Sequence, residues 1–275
     1  MNRRAKLTSR IVASPYIVWA LLFIIAPLLF VIYYSFTDKS GNFTLLYIET
    51  LPKYLPTFLR SIWFGIVATI ICLLIAFPTA YFISQKSEKK QRTYVLLVML
   101  PMWMSFLIRT YSWMAILQDT GIINTFLGKL GIDPVHMINT GGAVILGMVY
   151  NFVPYMILPI YSVMAKLDLS MVEACQDLGG NTFNVLRRCI IPLSIPGVVS
   201  GITMVFVPSV STFYISQKLG GGSFDLIGDV IERQFQQSYN YNLGAALSLV
   251  LMVLIVISMA IMNHFSEGGE GEMVI

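Results

Sequence analysis

Ring faces and side-chain amides are the groups in this sequence best suited to handling a small molecule. Trp103, Tyr111, Tyr150, Asn151 and Tyr155 stand in long stretches almost free of charge, where an aromatic face attracts an organic cation by about 0.5–2 kcal/mol. Rings in such places also serve as interfacial anchors or core packing, the reading favoured for Trp113 and Tyr161. Material for bond-making chemistry is missing: there is no carboxylate pair, histidine cluster, nucleophile constellation or phosphate-binding G-x-x-x-x-G-K-S/T. His136 and His264 have no neighbouring ligands, and Cys72, Cys175 and Cys189 lack metal-site spacing. No catalytic residue, bound cofactor or metal is therefore expected. Arg109 is the one cation inside an apolar stretch, which makes it a candidate for a gating or structural role, paired with an acid or carbonyl, or simply snorkelling. Asp225, Asp229 and Glu232 recur at i, i+4 and i+7 after Gly220-Gly221-Gly222, which puts them along one face of a short helix. That face is either an entrance and binding-protein contact or merely solvated.

The elements that must position these residues follow from how apolar the chain is. Of 275 residues, 56% are hydrophobic and 12% charged, with a mean hydropathy of +0.74, against roughly 25% charge in soluble domains. Six windows run with almost no charge: 11–37, 61–85, 93–118 (interrupted by Arg109), 134–165, 189–217 and 234–266. Each exceeds the roughly 20 residues that carry a helix across about 30 Å of hydrocarbon, and a lipid-exposed chain must be helical there to satisfy its backbone. Helices are predicted near 14–36, 61–83, 94–117, 142–164, 196–216 and 243–264. The expected organisation is an N-terminal arm at 1–13, a six-helix domain at 14–266 and a tail at 267–275. Pro27, Pro78, Pro101, Pro154, Pro159 and Pro208 fall inside the predicted helices; neighbouring helices can re-satisfy the carbonyls they free.

Charge sets the orientation. The arm and the second and fourth connections hold 11 of the 18 Lys and Arg residues, and short cytoplasmic loops are the ones that keep positive charge. Both termini are expected in the cytoplasm. The net charge of +4 is then a topology signal, and a nucleic-acid partner, which needs a contiguous basic surface, is not expected.

The fourth connection, about 165–195, contains more than a turn requires. Asp168 or Ser170 can cap a short helix with Glu173 in its first turn, Gly179 and Gly180 can end it, Thr182 can start a second helix over 183–190, and Pro192 can close that one. Phe183, Leu186 and Ile190 recur at helical spacing beside Arg187 and Arg188. The loop resembles the hallmark of permease subunits of binding-protein-dependent ABC importers: EAA, three residues, G, nine residues, then I-x-L-P. Glu173, Ala174, Gly179 and Pro192 match, while Cys175, Cys189 and Ile191 stand at the second alanine, the isoleucine and the leucine.

Almost the whole chain is similar to the PotB family of spermidine/putrescine permeases, particularly LPMWMSFLIRTYSW at 100–113, VYNFVPYMILPIYSVMAKLD at 149–168 and FYISQKLGGGSFDLIGDVIERQF at 213–235. The resemblance implies an all-α, MetI-like permease of six transmembrane helices in the bacterial cytoplasmic membrane. It implies a second permease (PotC-like), an ATPase dimer (PotA-like) using ATP and Mg, and an extracytoplasmic polyamine-binding protein (PotD-like). It further implies that Glu173, Ala174, Cys175, Gly179, Arg187, Arg188 and Pro192 belong to a loop that couples to the ATPase. The motif identifies the engine and is silent on cargo, so another small solute such as an amino acid is the alternative, with an ion channel or membrane enzyme behind it. The windows hold no Asp or Glu, so counter-charges for a polyamine are expected on partners or loops.

Overall fold

The structure, a computed structural model, describes residues 15–167 and 181–271. Five helical stretches among them are long and apolar enough to cross a membrane: Pro15–Ser35, Leu46–Ser84, Gly141–Met164, Leu186–Ser211 and Tyr241–Met262. We label the helices α1 (Pro15–Ser35), α2 (Leu55–Ser84), α3 (Glu88–Met99), α4 (Phe106–Leu117), α5 (Ile122–Lys129), α6 (Gly141–Met164), α7 (Leu186–Ser211), α8 (Tyr214–Leu219), α9 (Ile227–Gln236) and α10 (Tyr241–Gly271). Because α10 runs on to Gly271, the segment assigned to a tail at 267–275 begins as helix.

The third crossing is not the single helix predicted over 94–117. After α3 the chain tightens into a 3₁₀ turn over Leu100–Trp103, then Met104 (ψ 146°) and Ser105 (ψ 129°) are extended before α4 begins. The stretches Glu88–Trp103 and Phe106–Lys129 meet at 85°. Pro101 explains the break, since its missing N–H suits the opening of a 3₁₀ turn and interrupts an α-ladder. Two further prolines shape helices without ending them. The N–H of Ala26 bonds the Leu21 carbonyl and that of Ile191 the Leu186 carbonyl, five residues back, so a π turn stands immediately before Pro27 and before Pro192. A widened turn relieves the clash of a proline ring with the carbonyl four residues earlier. Pro192 therefore does not close the cytoplasmic helix as expected; α7 passes through it, which also moves the fifth span from the predicted 196–216 to 186–211.

Residues 56–229 and 254–275 form one compact unit. Its tightest pairing sets α7 against α6. Ser194, Gly197, Gly201, Val205 and Ser209 recur at helical spacing and are buried on α7. A methyl group at Gly197 would lie 2.9 Å from the Pro159 carbonyl oxygen, and one at Gly201 would lie 2.6 Å from Met156 Sδ. On α2, Ala68, Cys72, Ala76 and Ala80 form a fully buried row of small residues, and Cys72 Sγ lies 3.8 Å from the Val149 carbonyl of α6. Small side chains are how membrane helices approach closely enough for dispersion to hold them together.

The two ends of this unit are tied by different contacts. At one end, α2, α3, α6 and α7 converge: Gln91 donates to the Ser84 and Lys86 carbonyls and accepts from the Tyr161 hydroxyl at 2.9 Å. At the other, Phe64 meets Phe224 at 6.3 Å, Ile227 N donates to Ser61 Oγ at 2.7 Å, and Asn139 N to the Leu219 carbonyl at 2.8 Å.

Among the described residues, 15–55 and 230–253 form the second unit. Within it Asn242 Nδ2 donates to the Thr37 carbonyl at 2.7 Å. Asp38 accepts from the Asn42 and Ser40 amides, which hold its carboxyl below the usual carboxylate range.

Gly201→Leu is expected to cost about 1–3 kcal/mol through overpacking, read as a lower thermal midpoint of the purified protein. Gly128→Ala, where nothing lies within 4 Å, should leave the midpoint unchanged or raise it.

Candidate functional site

The aromatic candidates do not form one cluster. Trp113 of α4 and Tyr150 of α6 meet edge to face, centroids 5.4 Å apart, and are both half-buried. Tyr111, on another face of α4, turns to Tyr214 of α8 at 6.2 Å and 84°, and Tyr214 in turn lies 6.0 Å from Phe106. The Lys218 ammonium stands over this group, 5.5 Å from the Tyr111 centroid and 5.7 Å from that of Tyr214. Tyr155 lies 6.5 Å from Phe152 on its own helix, and Trp103, in the 3₁₀ turn, is 71% exposed. Sequence reading missed Tyr214 and Lys218 because the fifth span was predicted through 216, which hid the break at Thr212 and the start of α8.

Arg109 and Asn151 are the buried polar groups of the pathway set. Arg109 is only 7% exposed, so it does not snorkel to solvent within this chain; its Nε and Nη1 have no hydrogen-bond partner among the described residues. Its guanidinium carbon lies 5.9 Å from the Phe106 centroid. Asn151 is 1% exposed and donates from Nδ2 to the Gly147 carbonyl at 2.8 Å, within its own helix, which leaves Oδ1 as a buried acceptor without a partner among the described residues. An unsatisfied buried group costs about 1–3 kcal/mol, more when charged. Arg109 can donate to an anion or carbonyl, and Asn151 Oδ1 can accept from an N–H or O–H.

The acidic trio is not presented as one face. Asp225 precedes α9, and Asp229 is 1% exposed, its Oδ2 accepting from the Leu226 amide at 2.7 Å. A carboxylate in a helix's first turn answers the orphan N–H groups there, so Asp229 serves the fold and the predicted row of three entrance acids is not formed. Glu232 falls in the other compact unit. Gly221 (φ +57°) and Gly222 (φ +77°) take left-handed conformations. His136, read as isolated, has Asp119 2.9 Å from its Nδ1 at the exposed surface.

Glu173, Ala174, Cys175 and Gly179 lie outside the described residues, as do Asp168 and Ser170. Downstream, Asn181 rather than Thr182 supplies the cap, its Oδ1 accepting from the Asn184 amide at 2.9 Å. Arg187 and Arg188 are exposed on the π turn, as is Pro192, while Ile190 is buried. Beside them opens a cavity of about 640 Å³ lined by Lys86, Glu88, Gln91, Arg92, Tyr161 and Ile190 among others. Among the described residues no group of three His, Cys, Asp or Glu side chains is placed to hold a metal.

Residues 91–268 match the family described as binding-protein-dependent transport system inner membrane component. The chain is 38% identical over 266 residues to the spermidine/putrescine transport system permease protein PotB of Haemophilus influenzae, covering 93% of this chain and 92% of that one. It is 34% identical over 246 residues to PotB of Escherichia coli, covering 86% and 90%. Among solved structures it resembles a chain of a bacterial ABC transporter that imports the acidic polysaccharide alginate, with a TM-score of 0.77, 19% identity and 96% of each chain covered; that likeness is one of fold.

Arg109→Met in the isolated chain is expected to raise the thermal midpoint by the equivalent of about 1–3 kcal/mol, because it removes donors that have nothing to bind. A lowered midpoint would reveal a partner for the guanidinium within the chain itself.

Proposed function

The chain belongs to the family of binding-protein-dependent transport system inner membrane components, and from that membership we propose that it is the permease subunit of an ATP-driven importer of the polyamines spermidine and putrescine. The observation that carries the cargo is its similarity, along nearly the whole chain, to permeases named for those two molecules. The chain is a multi-pass inner-membrane protein, and its relatives are transport permeases. ATP hydrolysis belongs to a pair of PotA-like ATPase subunits, a PotC-like permease completes the pathway, and a PotD-like protein delivers the polyamine. The end where Lys86, Lys89, Lys90, Arg92, Arg187 and Arg188 gather faces the cytoplasm, together with both termini.

The chemistry of the pathway agrees with a cationic cargo. This chain offers ring faces and the buried Asn151 Oδ1, with no carboxylate in the apolar windows. A polyamine is then held weakly by this subunit, and its counter-charges sit on the second permease and the binding protein. Trp103, Tyr111, Tyr150, Asn151 and Tyr155 are this chain's share of the pathway. Arg109 repels the cargo and donates to a carboxylate or carbonyl of the second permease, which locks the broken third crossing in place. Asp225 and Glu232 contact the binding protein or edge the entrance.

Coupling runs through the loop of Glu173, Ala174, Cys175, Gly179, Arg187, Arg188 and Pro192. ATP-driven closure shifts the helices only if each state of the bundle contacts the ATPase differently. The continuity of α7 from the π turn through Pro192 into the span supports this route, since a displacement at 186–190 enters a helix rather than a slack connection.

Proteoliposomes holding the full complex, ATP and the binding protein are expected to accumulate labelled spermidine and putrescine, with unlabelled amino acids failing to compete. Displacement by amino acids, or uptake indifferent to ATP, refutes the assignment. Gly179→Leu should assemble and hydrolyse ATP yet lose about tenfold or more of uptake, a coupling loss of the usual size.

A further inference from the structure

The Tyr111–Tyr214 pair is already occupied by an ammonium. Its rings stand nearly perpendicular, at 84°, and the Lys218 Nζ lies 5.5 and 5.7 Å from their centroids, within the roughly 6 Å at which a ring face attracts a cation. The ammonium lies near both rings and beside the Tyr111 hydroxyl, and Tyr111 remains 45% exposed, so the place can be reached from outside the chain.

The holder is fixed by packing and the occupant sits at the end of a long stem. Ile215 and Leu219 are fully buried on one side of α8, and Gly147 of α6 lets them come close: a methyl there would run into Leu219 and lie 2.8 Å from Ile215 Cγ2. The Leu219 carbonyl is also tied to the Asn139 amide. Tyr214 and Lys218, at i and i+4, share a different side of the same helix. Tyr214 is therefore set by the packing of α8, whereas Lys218 reaches the rings through a flexible four-carbon stem. That stem and its ammonium repeat a diaminobutane less one amine: four methylenes ending in a primary amine. Lys218 is a tethered copy of the end of putrescine.

We propose that Tyr111 and Tyr214 form an ammonium seat in the translocation path, which Lys218 fills in the substrate-free chain and from which one ammonium of the cargo displaces it. This rests on the polyamine reading above and adds the place where this subunit holds the cargo. A tethered competitor acts at an effective concentration in the millimolar range and reduces apparent affinity by the fraction of seats it occupies. It returns when the cargo moves on, so the seat favours release over retention.

The test is a double-mutant cycle on polyamine uptake by the full complex in proteoliposomes. Lys218→Met keeps the stem and removes the charge; it is expected to lower the KM for putrescine about threefold or more. In a Tyr111→Leu background, which itself raises KM, the same change should have little effect. An equal KM ratio in both backgrounds identifies plain charge repulsion and overturns the seat, as does an unchanged KM for Lys218→Met alone. Should Tyr111→Leu fail to assemble, salt decides: a gain from vacating the seat persists at high ionic strength, whereas relief of long-range repulsion is screened away and overturns it. Absence of polyamine uptake by the parent complex removes the cargo reading and the seat together; uptake without the predicted KM pattern removes the seat alone.

Discussion

The backbone of α7 lies against the backbone of α6 because positions 197 and 201 carry no side chain. Hydrocarbon offers no hydrophobic gain for bringing two helices together, so association depends on how many atoms meet at close range. Glycine at those two positions lets Met156, the Pro159 carbonyl and Ile160 fill the seam, and α6 becomes the post to which other elements attach. The small-residue row of α2 packs on it through Cys72, α4 meets it through Trp113 and Tyr150, and α8 closes on it at Gly147. Each candidate group described above is held on α6 or on an element packed against it, except the exposed Trp103.

What the sequence could reveal followed from how strongly each feature constrains it. The limits of α6 were readable almost to the residue, because an apolar run between Thr140 and Lys166 has only one way to cross a bilayer. The third crossing was not, because hydropathy is indifferent to direction: residues 94–117 remain apolar whether the chain continues or turns by 85°, and only the missing N–H of Pro101 marks the break. Pro192 misled in the opposite sense. Read locally it ends a helix, yet a π turn ahead of it absorbs the ring and the helix goes on.

The residue types of the candidate site were legible and their arrangement was not. Residue types pointed to rings, an amide and one arginine, and those residues are where the sequence puts them. Which rings face each other depends on helix rotation and on α8, a six-residue helix too short to show a period. Asp229 shows the same limit: its spacing from Asp225 and Glu232 suits a presented face, but its own carboxylate turns inward to the Leu226 amide. Partnering across 70 or more residues, as between Tyr161 and Gln91, leaves no trace in local pattern at all.

Helix α1 obeys a different rule from the rest. Of its residues only Ser35, the last, is buried in this chain, so no internal neighbour inspects the shape of its side chains. Its tolerance to sequence drift is therefore set by what surrounds the subunit: any apolar residue of helical habit satisfies lipid, and tighter limits arise only where another subunit touches it. Positions 197 and 201 stand at the opposite extreme, where an added carbon would meet the Pro159 carbonyl or press on Met156. Over long divergence the first helix should lose recognisable identity while those two glycines stay fixed, and aligned sequences would then show the subunit's outer contacts as islands of constancy in α1.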